Sequence, residues 1–174
     1  MGERNRVGGL SVTDLSTMLW FDGQALEAAR FYTAIFPNST INGEEVFPDV
    51  EYPENAVADP GDVMTVAFAL DGRPFTALNG GPLYTFSEAI SFVVTCVGQD
   101  EVDYFWDRLT EGGGEPGACG WLKDRFGVSW QVVPTALFEL GSGPDPEGAQ
   151  RVWQAMLGMS KLDIAALQRA YDGA

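Results

Sequence analysis

Residues 15–38, LSTMLWFDGQALEAARFYTAIFPN, change period part-way through. Thr17, Leu19 and Phe21 alternate with Met18 and Trp20, the spacing of a strand. Asp22 is a candidate N-cap. Ala28, Phe31, Tyr32, Ile35 and Phe36 then fall at i, i+3, i+4, i+7 and i+8, one face of a helix that Pro37-Asn38 ends. The same order recurs in AISFVVTCVGQDEVDYFWDRLTEGGG, residues 89–114. Residues 89–96 read as a strand and Asp100 as a cap, with Val102, Phe105, Trp106 and Leu109 as the helix stripe and three glycines as its stop. Phe31-Tyr32 answers to Phe105-Trp106 at an offset of 74, which pairs Thr17 with Ser91.

The later halves also correspond. DGRPFTALNGG, residues 71–81, and RFGVSWQVVP, residues 125–134, are each a glycine turn followed by a strand. Gly72 pairs with Gly127, Phe75 with Trp130 and Thr76 with Gln131, at an offset of 55. Further strands are expected near Thr40–Val46 and Val63–Leu70 in the first copy, and near Pro116–Gly120 and Trp121–Lys123 in the second. The chain therefore reads as α+β, two tandem β-α-β-β-β modules at residues 15–80 and 88–134, with a helical extension over 135–174. The first copy carries about 19 extra residues, placed in the acidic stretch 43–62, whose seven carboxylates have no Lys or Arg beside them and which reads as an exposed, mobile loop. In the extension, Asp145-Pro146 starts one helix and Ser160, with Asp163 in a Ser-x-x-Asp box, starts another. This tail could dock on its own sheets or clasp another subunit.

Composition narrows the function. The chain has 174 residues, 45% of them hydrophobic, enough for a sizeable core. Its formal net charge of −15 repels phosphate backbones and argues against nucleic-acid binding. It has no histidine, which excludes Ser-His-Asp and Cys-His catalysis, a histidine base and every histidine-ligated metal site. MGERNRVGGL has no apolar run behind its charges, and no stretch approaches the ~18 apolar residues of a membrane span. Two cysteines, Cys96 and Cys119, are too few for a disulfide framework. A soluble cytoplasmic protein is expected, with no membrane and no nucleic-acid partner.

With the duplication in view, LWFDGQALEAARFY, FTALNGGP, AISFVVTC, GGGEPGACGWLKDRFGVSWQVVP and WQAMLGMSKLDIAALQRAY resemble the PhnB-like branch of the vicinal oxygen chelate, or glyoxalase/bleomycin-resistance, superfamily. That branch is also called demethylubiquinone 3-methyltransferase-like. The resemblance spans residues 15–172 and implies a cupped sheet around a cleft, and a homodimer. Metal-dependent superfamily members place four ligands on that sheet, and by motif spacing these positions fall on Thr17, Thr76, Ser91 and Gln131. None is an imidazole or a carboxylate, so no metal and no cofactor are expected.

Strand alternation puts Gln131 on the face opposite Trp130, and the resemblance turns that face to the cleft. Thr17, Leu19, Phe21, Thr76, Leu78, Ser91, Val93 and Thr95 are expected to share it, an apolar pocket with neutral polar groups on its floor, suited to a small organic ligand. Asn79, Trp121, Lys123 and Asp124 are rim candidates. Catalytic residues cannot be named, since no nucleophile-base pair stands out. Cys119, near Lys123 and Arg125, is a candidate reactive thiol, and Cys96 reads as buried filler. Four functions stay open: a metal-independent binder that rearranges its ligand or moves a proton on it, a sequestering binder of a cationic or drug-like molecule, a structural or regulatory partner whose cleft is filled by its own side chains, and a methyltransferase. Against the last, Gly112-Gly113-Gly114 follows a helix and Asn79-Gly80-Gly81 follows a hairpin strand, so neither is a glycine-rich turn between strand and helix.

Overall fold

The computed structural model of the chain describes residues 15–52 and 59–174. Two compact units divide it, residues 1–84 and 85–174. In the first, β1 (Thr17–Phe21) leads to α1 (Ala25–Ile35), then β2 (Thr40–Val46), β3 (Val63–Leu70) and β4 (Arg73–Asn79). The sheet order is β1-β4-β3-β2, with β1 and β4 parallel and the other pairs antiparallel. Asp71 and Gly72 join β3 to β4 with φ of 46° and 74°, the doubly left-handed turn that suits strand twist and that glycine adopts without strain.

One face of this sheet is buried under α1. Tyr32 of the helix stacks on Phe68 at 6.3 Å, and Phe68 stacks on its strand partner Phe75 at 5.3 Å. Leu19, Phe21, Val66, Leu70 and Ala77 are buried with them. Each of the larger side chains contributes roughly 1.5–3 kcal/mol by leaving water. Asp22 is not the helix cap. The N-cap is Gln24, without a side-chain bond, and Asn79 Oδ1 reaches across to accept from Ala25 N at 2.9 Å.

The second unit repeats the order: β5 (Phe92–Cys96), α2 (Gln99–Thr110), β6 (Glu115–Pro116), β7 (Trp121–Lys123) and β8 (Ser129–Pro134). Its sheet runs β5-β8-β7-β6, again with the first pair parallel. Val102, Trp106 and Leu109 of α2 are buried, as are Cys96, Leu122, Trp130 and Val132 of the sheet. The strand read over 89–96 begins only at Phe92, and the one read near Pro116–Gly120 is the two-residue β6. Gly98, not Asp100, is the α2 N-cap.

Three helices follow: α3 (Thr135–Gly141), α4 (Pro146–Met156) and α5 (Ile164–Asp172). The first continues directly from β8, with no turn residues to announce it. Asp145 caps α4 as its Asp-Pro start implies. Asp163 itself, rather than Ser160, caps α5, accepting from Ala166 N at 2.7 Å, while Ser160 Oγ donates to Gly117 O. The tail docks on its own unit. Leu137, Val152, Leu162 and Leu167 bury Val133 of β8, and the N–H groups of Cys119 and Gly120 donate to Met159 O and Ser160 O. Of the acidic stretch 43–62, Gly43 to Val46 belong to β2, and residues 53–58, Glu54 included, lie outside the described residues.

Candidate functional site

In each unit the sheet has a face covered by its helix and a face opposite. In the second unit β8 organises the opposite face. Its turn is held by Asp124, whose Oδ1 accepts from Phe126 N at 2.9 Å and Val128 N at 3.0 Å. Ladder register then sets the rows. Val93, Gln131 and Trp121 stand side by side, and so do Ser129, Lys123 and Glu115. Since partners across a ladder share a face, these six are together. Gln131 Nε2 donates to Ser91 Oγ at 2.8 Å, which brings Ser91 to the same side. Val93 is 56% exposed and Thr95 is exposed; Gln131 and Ser91 are half-buried. Gln131 Oε1 has no protein donor among the described residues.

The first unit corrects the reading. Met18 pairs with Thr76 and Trp20 with Leu78, whereas Thr17 pairs with Phe75, Leu19 with Ala77 and Phe21 with Asn79. Thr17, Leu19 and Phe21 therefore lie on the helix-covered face, opposite Thr76 and Leu78; Leu19 and Phe21 are buried there. The cause is one residue. Three residues, Asp22-Gly23-Gln24, join β1 to α1, but two, Val97-Gly98, join β5 to α2. The helices repeat at 74 while the strands repeat at 75, Met18 answering to Val93. A slip of one in a strand turns every side chain over. By register the counterpart of Ser91 is Ser16, not Thr17.

Of the rim candidates, Trp121 and Lys123 belong to the open face of the second unit. Asp124 does not: it is 3% exposed, and its Oδ2 accepts from Trp130 Nε1 at 2.8 Å. Asn79 faces α1, and besides the bond to Ala25 its Nδ2 donates to Val63 O at 2.9 Å. It borders a hollow of about 360 Å³ in the first unit with Asp22, Asp59 and Asp62.

Sequence reasoning missed a second hollow, about 230 Å³, on the open face of the second sheet. Glu88, Glu115, Trp121, Lys123 and Ser129 are among the residues that line it. Lys123 Nζ donates to Glu88 Oε1 at 2.5 Å. That bond holds the Glu88 carboxyl below its ordinary pKa and the Lys123 ammonium above its own. Ser129 is 2% exposed and its hydroxyl has no hydrogen-bond partner among the described residues. Ser129 was findable: it stands two residues before Gln131, and alternation puts both on one face.

Residues 13–133 match the model of the family described as 3-demethylubiquinone-9 3-methyltransferase. The chain belongs to that family, the PhnB-like group. A putative 3-demethylubiquinone-9 3-methyltransferase, PhnB protein, from Bacillus cereus is 31% identical, with a TM-score of 0.60 over 71% of this chain and 100% of its own. A protein from Pseudomonas aeruginosa is 22% identical, with a TM-score of 0.56 over 71% of this chain and 98% of its own. A glyoxylase/bleomycin resistance protein/dioxygenase domain from Frankia sp. is 14% identical, at a TM-score of 0.42 over 71% of this chain and 93% of its own. No curated protein matches significantly.

The residues present do not suit the metal of metal-dependent superfamily members. Thr76, Ser91, Gln131 and either Thr17 or Ser16 offer only neutral oxygens, and Gln131 spends its Nε2 on Ser91. Such a set does not fit a divalent cation stripped of its water. Among the described residues no three His, Cys, Asp or Glu side chains are grouped to hold an ion, and no helix is long and apolar enough to cross a membrane. The links Asp22-Gly23-Gln24 and Val97-Gly98 are not the glycine-rich strand-to-helix turn by which doubly wound parallel sheets hold a nucleotide.

Proposed function

We propose that this PhnB-like chain is a metal-independent binder of a small organic molecule, held on the open face of the second sheet at Gln131 and Ser91. One observation carries the reading: the half-buried Gln131 amide commits its Nε2 to Ser91 and keeps its Oε1 available beside Val93, Trp121 and Thr95. Few, fixed polar groups within apolar surroundings are what orient a small ligand. Any proton transfer on the ligand would fall to Lys123, Glu88 or Glu115, the ionisable groups on the edge of this face, of which the first two neutralise one another. The arrangement favours binding over turnover. A homodimer belongs to the same proposal, and light scattering on the full chain measures it.

The test is a thermal-shift screen of a metabolite panel on the EDTA-treated chain, with recovery of each hit by mass spectrometry. A hit that stabilises the wild type, is lost in Gln131→Leu and needs no added metal supports the reading. Stabilisation that appears only with added zinc, manganese, nickel or iron overturns it.

A further inference from the structure

The hollow near Gln131 is lined by a buried hydroxyl with no partner among the described residues and by an exposed carboxylate with no ion pair among them. Ser129 is among the lining residues, and its hydroxyl is almost wholly buried with no partner among the described residues. Leaving a buried hydroxyl unpaired is unfavourable, so the group is poised for whatever enters. Glu115 is the second. It stands across the ladder from Lys123, which stands across from Ser129, so the three form one row over β6, β7 and β8. Glu88 takes Lys123, and Glu115 makes no ion pair among the described residues. The hollow is thus bounded by two carboxylates and one ammonium, with Trp121 among its lining residues.

These features select a charge. A carboxylate or phosphate entering would meet Glu88 and Glu115, and Lys123, the cation among the lining residues, is already paired with Glu88. An organic ammonium would find an unpaired carboxylate, a hydroxyl able to accept, and an aromatic face that attracts cations. The chain's net charge of −15 draws the same sign of ligand from a distance. We propose that this hollow binds the ammonium end of a small organic amine, Glu115 pairing with the charge and Ser129 Oγ accepting an N–H. The inference rests on the open face being a ligand surface and specifies the ligand's charge there.

The test uses three probes of one size and different charge: benzylamine, benzyl alcohol and benzoate. Each is titrated into the full chain at physiological salt, following the Trp121 indole N–H by NMR. Benzylamine is expected to move that signal and to bind about tenfold more tightly than benzyl alcohol, as one charge-assisted bond and one cation–aromatic contact imply. Benzoate should leave it in place. Glu115→Gln should weaken benzylamine about tenfold and Ser129→Ala several-fold. Ser129→Ala deletes a hydroxyl that has no partner, so its unfolding midpoint should be at least that of wild type, which separates lost binding from lost folding. Benzyl alcohol or benzoate binding as well as benzylamine, no benzylamine binding, or Glu115→Gln without effect would each overturn the inference. If benzylamine misses the hollow while a screened metabolite still depends on Gln131, the ammonium inference fails and the open-face reading survives.

Discussion

The Asp124 carboxylate and the Trp130 indole are joined at 2.8 Å inside the second unit. The same carboxylate holds the N–H groups of Phe126 and Val128, so three donors converge on one side chain. Asp124→Ala leaves all three without that acceptor, two of them in the buried turn ahead of β8. Stability should fall by about 3 kcal/mol, since each stranded donor costs roughly 1 kcal/mol or more. Urea unfolding followed by circular dichroism measures this. Asp124→Asn keeps one acceptor oxygen and should lose clearly less.

Trp20 and Gly80 meet with no room between them. A Cβ on Gly80 would lie 2.2 Å from the Trp20 ring, while the Trp20 indole donates to Gly81 O at 2.7 Å. Gly80→Ala must therefore displace a rigid side chain and break that bond. The expected loss is about 2 kcal/mol. Because Trp20 also meets Tyr84 edge-on at 5.0 Å, tryptophan fluorescence should report its release.

Gln99 fastens the tail. Its Nε2 donates to Leu162 O at 3.1 Å and Asp103 Oδ1 at 3.0 Å, and its Oε1 accepts from Ile164 N at 2.9 Å. Gln99→Ala should cost about 2 kcal/mol. The loss should be local: hydrogen exchange is expected to accelerate over residues 160–172 and to stay unchanged over β5 and β8.

Cys96 is buried, and that burial, with the Glu101 charge second, pushes its thiol up from 9.0 to about 11. The native state therefore keeps a proton that the unfolded chain releases. This contribution is complete below pH 9, and it declines as pH rises toward 11, where the native thiol also ionises. Urea midpoints measured across that window should fall for wild type, and Cys96→Ala should remove the part of the slope due to this thiol. A thiol reagent at pH 8 should modify Cys119, which is partly exposed, before Cys96.

Much of this was legible in the residues. The helix stripes of α1 and α2, the Asp71-Gly72 turn, β7 and the Asp145 cap follow from local spacing and turn chemistry, which act within a few residues. The open face of the second sheet was legible too, because alternation along β8 carries Gln131 to one side whatever surrounds it. The same alternation read one residue out of step placed Thr17, Leu19 and Phe21 wrongly, since the two strand-to-helix links differ by one residue and similarity between helices says nothing about link length.

The amino-acid sequence by itself determined the repeated β-α-β-β-β order and the absence of histidine chemistry, because period and composition need no partner to be read. Only the tertiary structure decided that Asp124 is a buried anchor rather than a rim group, that the tail docks on its own unit through Gln99, and that Ser129 lies unpaired against a hollow beside Glu115. Each of these depends on which strands become neighbours. Burial and hydrogen-bond satisfaction are properties of what surrounds a residue, and residues far apart in the chain supply those surroundings.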